Sequence, residues 1–213
     1  MNLPSAPTTE TTKRSDREMG LLLVGGMAAL MWVLEMIDQV FGGDLDSNGI
    51  RPHDADGLTG IVFAPFLHAG WGHLIGNTVP FLLLGGMIAL SGLARVAATT
   101  AIVALVGGLG VWLFASAGSD HIGASGIVFG YATYLIARGL FSRNLLHLVV
   151  GAVVLGVYGS TLLFGVAPRD GISWQGHLFG GIGGIVAARV LDRRAAKKDA
   201  GGSSSKRAPV PGL

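Results

Sequence analysis

The sequence has no cysteine. That removes disulfides, cysteine-bound zinc and thiol catalysis together. Charge is scarce as well: Asp, Glu, Lys and Arg make up 13% of the chain, against about 25% in an average globular domain. With half the residues apolar, a disordered chain is excluded, because disorder needs high charge and little apolar surface. The same numbers argue against an ordinary soluble globule. Residues 1–17 are polar and lack a short apolar segment with a small-residue cleavage site, so no cleavable signal peptide is expected. There is no internal repeat and no segment that reads as a second, soluble domain. In place of these the chain has 35 glycines among 213 residues, and a mean hydropathy of +0.58.

The few charges are clustered, and the gaps between them are long. No charged residue occurs in 19–34, 57–94, 96–119, 121–137, 144–168 or 171–188. A helix needs about 20 mostly apolar residues to cross a bilayer. The pattern therefore predicts an all-α membrane bundle of six spans, at about 19–41, 72–91, 95–117, 125–141, 145–166 and 173–191. Glu35 and Asp38 close the first span, where carboxylates can reach the headgroup region. The expected organisation is a tail over 1–18, a membrane domain over 19–194 and a tail over 195–213. The last is rich in Lys, Gly, Ser and Pro and is expected to be disordered.

Orientation follows from the basic residues, which favour the cytoplasmic side. With both termini inside, thirteen of the 15 lie on cytoplasmic segments, and only Arg51 and Arg169 lie outside. The basic character is thus a topology signal, and no nucleic-acid partner is needed to explain it. A multi-pass protein of the cell membrane, of a bacterial cytoplasmic type, is expected.

On this map the polar groups inside the spans converge. His68, His73 and Asn77 stand at the head of the second span, Ser125 opens the fourth, and His177 lies about one turn into the sixth. All these spans run inward, so the groups share a depth near the outer face. His73 and Asn77, four apart, share a helix face. Counted from Ser125, the fourth span is roughly 20–25 Å long, short of the ~30 Å hydrocarbon core. It therefore starts below the surface, beneath a glycine-rich loop. Irregular backbone at that depth must line a cavity or be buried in protein, which implies water at the serine.

Gly126 and Gly130 form a small-xxx-small pair, and Gly176, Gly180 and Gly184 a double run of the same spacing. Such faces let helices approach closely. If the two pack together, His177 faces Ser125, and a hydroxyl beside an imidazole is the minimal unit of serine nucleophilic catalysis. Singly, each feature has a plainer reading. Glycine runs are ordinary packing, a membrane serine usually bonds its own backbone, and a lone histidine can be a proton relay or ion ligand. His53, His121 and His147 fall in loops or near span ends and read as solvated or structural. The serine motif lacks the second glycine of the Gly-x-Ser-x-Gly elbow, so an α/β-hydrolase is not supported.

Taken together, the motifs resemble the rhomboid family of intramembrane serine proteases. Its pattern has a His, a second His five residues on and an Asn four further, here His68, His73 and Asn77. It has Gly-x-Ser-Gly opening the fourth helix, here Gly123 to Gly126, and a His followed by spaced glycines in the sixth, here His177, Gly180 and Gly184. All three stand in order and in the expected helices.

The resemblance implies Ser125 as nucleophile, His177 as general base and no carboxylate. It implies an oxyanion hole of Asn77, His73 and backbone N–H groups near Ser125. Donors fixed in a site of low dielectric act strongly on a developing oxyanion, and desolvation favours the neutral imidazole that can accept a proton. No metal or organic cofactor is implied. Two family features are altered: the first outer loop, about 42–60, is short and lacks a Trp-Arg pair, and Phe129 stands where many relatives have Tyr stacked on the histidine. The implied substrates are transmembrane proteins, cut where Gly, Pro or small residues let a helix unwind. Two other readings stay open, an inactive relative that binds membrane helices and a small channel or transporter using the histidines as a relay. Oligomeric state is not fixed, since glycine faces serve packing within one chain equally well.

Overall fold

The computed structural model describes residues 9–42, 44–142, 144–169 and 171–204. In chain order the α-helices are α1 (Thr9–Phe41), α2 (Gly60–Phe63), α3 (Trp71–Ala89), α4 (Leu93–Phe114), α5 (Ser125–Ser142), α6 (Leu145–Gly165) and α7 (Trp174–Ser204). Among the described residues there are no strands, only isolated bridges joining Ile50 to His121 and Arg169 to Ile172. Each of the six expected spans is a long helix, and α2 is a short turn in the first connection.

Among the described residues four helices are long and apolar enough to cross a membrane: residues 12–41 of α1, and α3, α4 and α6. Helices α5 and α7 fall short of that apolarity, and the reason is physical. Helices α5 and α7 pack chiefly on each other, with α4 and α6 around them. Nearly every position of α5 from Ile127 to Gly139 is buried. A helix surrounded by protein can carry Arg138 and Thr133, which a lipid-facing one cannot, since polar groups at this depth face the bundle interior.

The peripheral helices show the opposite pattern. In α1 the buried positions are Gly20, Val24, Ala28, Met31, Glu35 and Asp38, spaced three and four apart, while Leu22, Val33, Met36 and Val40 are exposed. That period puts Glu35 and Asp38 on the protein-facing stripe. They do not reach outward as expected: Glu35 is 2% exposed and accepts a bond from Gln39, and Asp38 is 5% exposed and accepts one from the Leu45 backbone. In α6 only Gly151 and Val154 are buried, so most of that helix presents Leu and Val outward.

Glycines set the central spacing. A Cβ at Gly180 would overlap the Gly126 carbonyl, and one at Gly184 the Gly130 carbonyl. A Cβ at Gly107 would lie 3.4 Å from Gly180. The chain therefore crosses backbone on backbone where α4, α5 and α7 meet. At the end of the bundle away from Ser125, Arg95 of α4 pairs with Asp192 of α7 at 2.9 Å and Arg138 of α5 lies 3.8 Å from the same carboxylate, tying the same helices together.

Both tails contain helix. α1 begins at Thr9, before the expected boundary at 19, and α7 runs on to Ser204. Ala195, Ala196, Lys197, Lys198 and Ala200 are good helix formers, so an established helix continues through them. Residues 1–8 and 205–213 lie outside the described residues.

Candidate active site

Ser125 is the first residue of α5 and is half-buried. The turn that delivers it has Gly123 at φ +106°, a left-handed conformation suited to glycine. Space makes the same demand: a Cβ at Gly123 would stand 2.6 Å from His73 Nε2 and 3.7 Å from Asn77 Nδ2. His73 and Asn77, on the first turns of α3, thus converge on the backbone two residues before the serine.

Hydrogen bonds define what these groups can do. The Ala69 N–H donates to His73 Nδ1 at 3.3 Å, which puts the ring proton on Nε2, the atom facing Gly123. Asn77 Nδ2 is buried and has no partner among the described residues. A buried amide donor left unpaired costs stability unless something else is meant to fill it. His68, 1% exposed, accepts the Ala124 N–H through Nε2 at 3.4 Å and lies edge-on to His73, with ring centres 5.0 Å apart. It holds the backbone next to Ser125 rather than facing the serine side chain.

His177 is placed by the glycine crossing. It lies in the first turn of α7, one position after Gly176, whose carbonyl sits 3.1 Å from where a Cβ at Gly126 would be. Its ring stacks on Phe129 with centres 4.1 Å apart and planes 7° from parallel. Phe129 is one helical turn beyond Ser125, so the imidazole stands beside the serine's own helix end. His177 Nδ1 lies 2.7 Å from the Gly165 carbonyl, at the end of α6. A carbonyl only accepts, so Nδ1 carries the proton. Among the described residues no hydrogen bond joins Ser125 to His177, whose ring bonds through Nδ1 alone. Catalytic contacts are commonly long before substrate binds.

A narrow cavity reaches Ser125 from the α4 side, lined there by Ile50, Pro65, Val111, His121, Gly123 and Ser173. Space open to water centres amounts to about 50 Å³, where one water needs about 10–15 Å³. His177, His73 and Asn77 are not among its walls. The site therefore has two sides, with imidazoles and amide on one and a small cavity on the other. Among the described residues no group of His, Asp or Glu is arranged to hold a metal ion.

The family model of the Rhomboid domain matches residues 55–194. The chain belongs to the rhomboid family. The matched segment spans His68, His73, Asn77, Ser125 and His177, the residues that carry the rhomboid motifs. An uncharacterized protein of Mycobacterium tuberculosis is 49% identical over 197 residues, covering 88% of this chain and 82% of that relative. One from Mycobacterium leprae is 44% identical over 216 residues, covering 95% and 85%. A candidate rhomboid protease of Bacillus subtilis is 27% identical over 121 residues, 56% of this chain and 60% of its own. The chain is thus an integral membrane protein from a family of intramembrane proteases.

Sequence reasoning missed two features here and left a third open between two readings. The Gly165 carbonyl carries no sequence signal, because a backbone oxygen is common to all residues. His121, read as solvated or structural, is half-buried between Ser119 and Ser173. The first outer loop is short but folded, with helical turns at Leu45–Asn48 and Asp56–Thr59. Its Ile50 pairs with His121, so it is fastened to the site without a Trp-Arg pair.

Proposed function

We propose that this rhomboid is a serine endopeptidase that hydrolyses peptide bonds in or beside transmembrane segments of other membrane proteins. The observation that carries the reading is the imidazole of His177, stacked one turn from Ser125 with Nδ1 on a carbonyl and Nε2 without a partner among the described residues. With Nδ1 protonated, Nε2 is the basic atom. It takes the Ser125 proton as Oγ attacks the substrate carbonyl carbon. The oxygen that becomes anionic meets Asn77 Nδ2–H, His73 Nε2–H and the unpaired N–H groups of the first turn of α5. His177 then gives its proton to the leaving amine, which departs and leaves an acyl group on Ser125. A water, deprotonated by the same Nε2, hydrolyses that ester and restores both side chains.

A carbonyl inside an intact helix is already bonded and wrapped by side chains, so the substrate must unwind locally to reach Ser125. Gly, Pro and small residues at the scissile position favour this, and a 50 Å³ cavity beside the serine suits a small side chain. We place six spans in the cell membrane with both termini cytoplasmic and the site near the outer face. The 13-to-2 division of basic residues supports that topology. The test is a fluorophosphonate probe on the membrane-reconstituted protein. Modification mapped to Ser125, and lost in both Ser125→Ala and His177→Ala, is the expected result. A folded protein that resists the probe would be an inactive relative.

A further inference from the structure

Another imidazole lies close to Ser125, on the cavity side, and takes no part in the reaction above. His121 sits in the loop between α4 and α5, four residues before the serine. Its backbone pairs with the first outer loop, His121 N–H to Ile50 O at 3.1 Å and Ile50 N–H to His121 O at 2.9 Å. The loops press together tightly there: a Cβ at Gly49 would stand 2.7 Å from Ile122 Cγ2 and 2.9 Å from His121 O.

Its ring is held at both nitrogens, Nε2 2.9 Å from Ser119 Oγ and Nδ1 2.6 Å from Ser173 Oγ. The proton of Ser119 goes to the Ser116 carbonyl at 2.6 Å. Ser119 Oγ must therefore accept from His121 Nε2–H. Ser173 Oγ already accepts the Gly176 N–H at 3.3 Å, so its own proton is free to go to Nδ1. For a neutral ring one arrangement satisfies the whole chain of bonds, with the proton on Nε2. Burial favours that neutral form by lowering the His121 pKa, with Asp120 acting in the opposite direction.

Ser173 gives the network its consequence. It caps α7 twice, with Oγ on the Gly176 N–H and its carbonyl on the N–H of His177 at 3.1 Å. Side-chain caps of this kind fix where a helix starts. His121 thus joins the cap of the helix carrying His177 to the loop that delivers Ser125, with His121 and Ser173 each four residues before one of the pair. We infer that His121 is a positioning residue, which through Ser173 sets the register of His177 against Ser125. The inference rests on those two residues being the reacting pair. Displacement of a reacting group by about 1 Å can cost on the order of 10²-fold in rate.

The two ring nitrogens can be separated by substitution. In His121→Asn the amide oxygen takes the place of Nδ1 and keeps an acceptor for Ser173. In His121→Gln the amide nitrogen takes the place of Nε2 and keeps only the donor to Ser119. Each variant, with Ser173→Ala and His121→Gln/Ser173→Ala, is reconstituted in liposomes and titrated for active sites with a fluorophosphonate. Cleavage of a transmembrane reporter then gives kcat per labelled site and KM. His121→Gln and Ser173→Ala should lower kcat by about 10- to 100-fold with KM within about twofold. The double variant should be no slower than the slower single, and His121→Asn should recover most of the rate. Equal losses in Asn and Gln variants, or normal kcat per labelled site in all of them, overturn the inference while the Ser125–His177 reading stands. A wild type that neither labels nor cleaves overturns both.

Discussion

Gly165→Ala tests whether a backbone carbonyl orients the base. The Gly165 oxygen lies 2.7 Å from His177 Nδ1, and the Cα of the same residue faces the stacked pair of rings. A methyl group there would stand 3.0 Å from Phe129 Cε1, closer still to Cζ, and 3.3 Å from His177 Nδ1. Ordinary contact starts at 3.4 Å, and Phe129 is itself only 5% exposed, with no free space to turn into. The end of α6 must therefore back away, and a retreat of several tenths of an ångström takes the hydrogen bond out of its favourable range of about 2.7–3.2 Å. Such a bond is worth about 0.5–1.5 kcal/mol net, and about 1.4 kcal/mol is tenfold in rate. Cleavage of a transmembrane reporter in liposomes should therefore show kcat lower by about 2- to 12-fold, with KM little changed. Phe129→Leu removes the atoms in conflict, so Phe129→Leu/Gly165→Ala should be no slower than Phe129→Leu alone. If the two losses instead multiply, or if only KM moves, the carbonyl does not orient His177.

Asn77→Ala should lower kcat by on the order of 10²–10³ with little change in KM, as loss of one oxyanion donor does. Asn77→Asp should be worse because its charge opposes the oxyanion, whereas normal turnover in Asn77→Ala would make the amide structural. In the first outer loop, burial together with Asp38, Glu35 and Asp120 raises the Asp46 pKa to about 6. A folded-state pKa above the unfolded one stabilises the fold at low pH, an advantage lost as pH rises from about 4 to 6. Melting of Asp46→Asn should therefore show a gain over wild type above pH 6 that vanishes near pH 4; a pH-independent difference would contradict it. A topology reporter after Leu213 should read as cytoplasmic and one near Asp54 as exported, and the reverse at both sites would put Ser125 on the inner face.

What could be read in advance was whatever leaves a periodic or compositional trace. Charge-free stretches located the six long helices, because lipid excludes charge from a helix that faces it. The spacing of Gly176, Gly180 and Gly184 anticipated the crossing with Gly126 and Gly130, because only a missing Cβ permits backbone contact there. That crossing brings His177 to the turn after Ser125. The role of Glu35 and Asp38 was not visible, because their position near a span end suggested solvent while their period put them on the buried stripe. The ends of α1 and α7 ran past their expected limits, because apolarity marks the membrane and says nothing of where a helix stops beyond it. The partners of His177 and His121 were hidden for another reason: a Gly165 carbonyl and two loop serines become significant only once three distant segments meet.

The central claim is that Ser125 and His177 cut peptide bonds within the membrane, and purified protein tests it most directly. Wild type, Ser125→Ala and His177→Ala are reconstituted in liposomes with a single-span substrate whose membrane segment contains glycine, and the products are identified by mass. The account predicts a discrete cut in or beside that segment by wild type and none by either variant, with all three equally folded. Cleavage of the same bond by Ser125→Ala at the wild-type rate would contradict it.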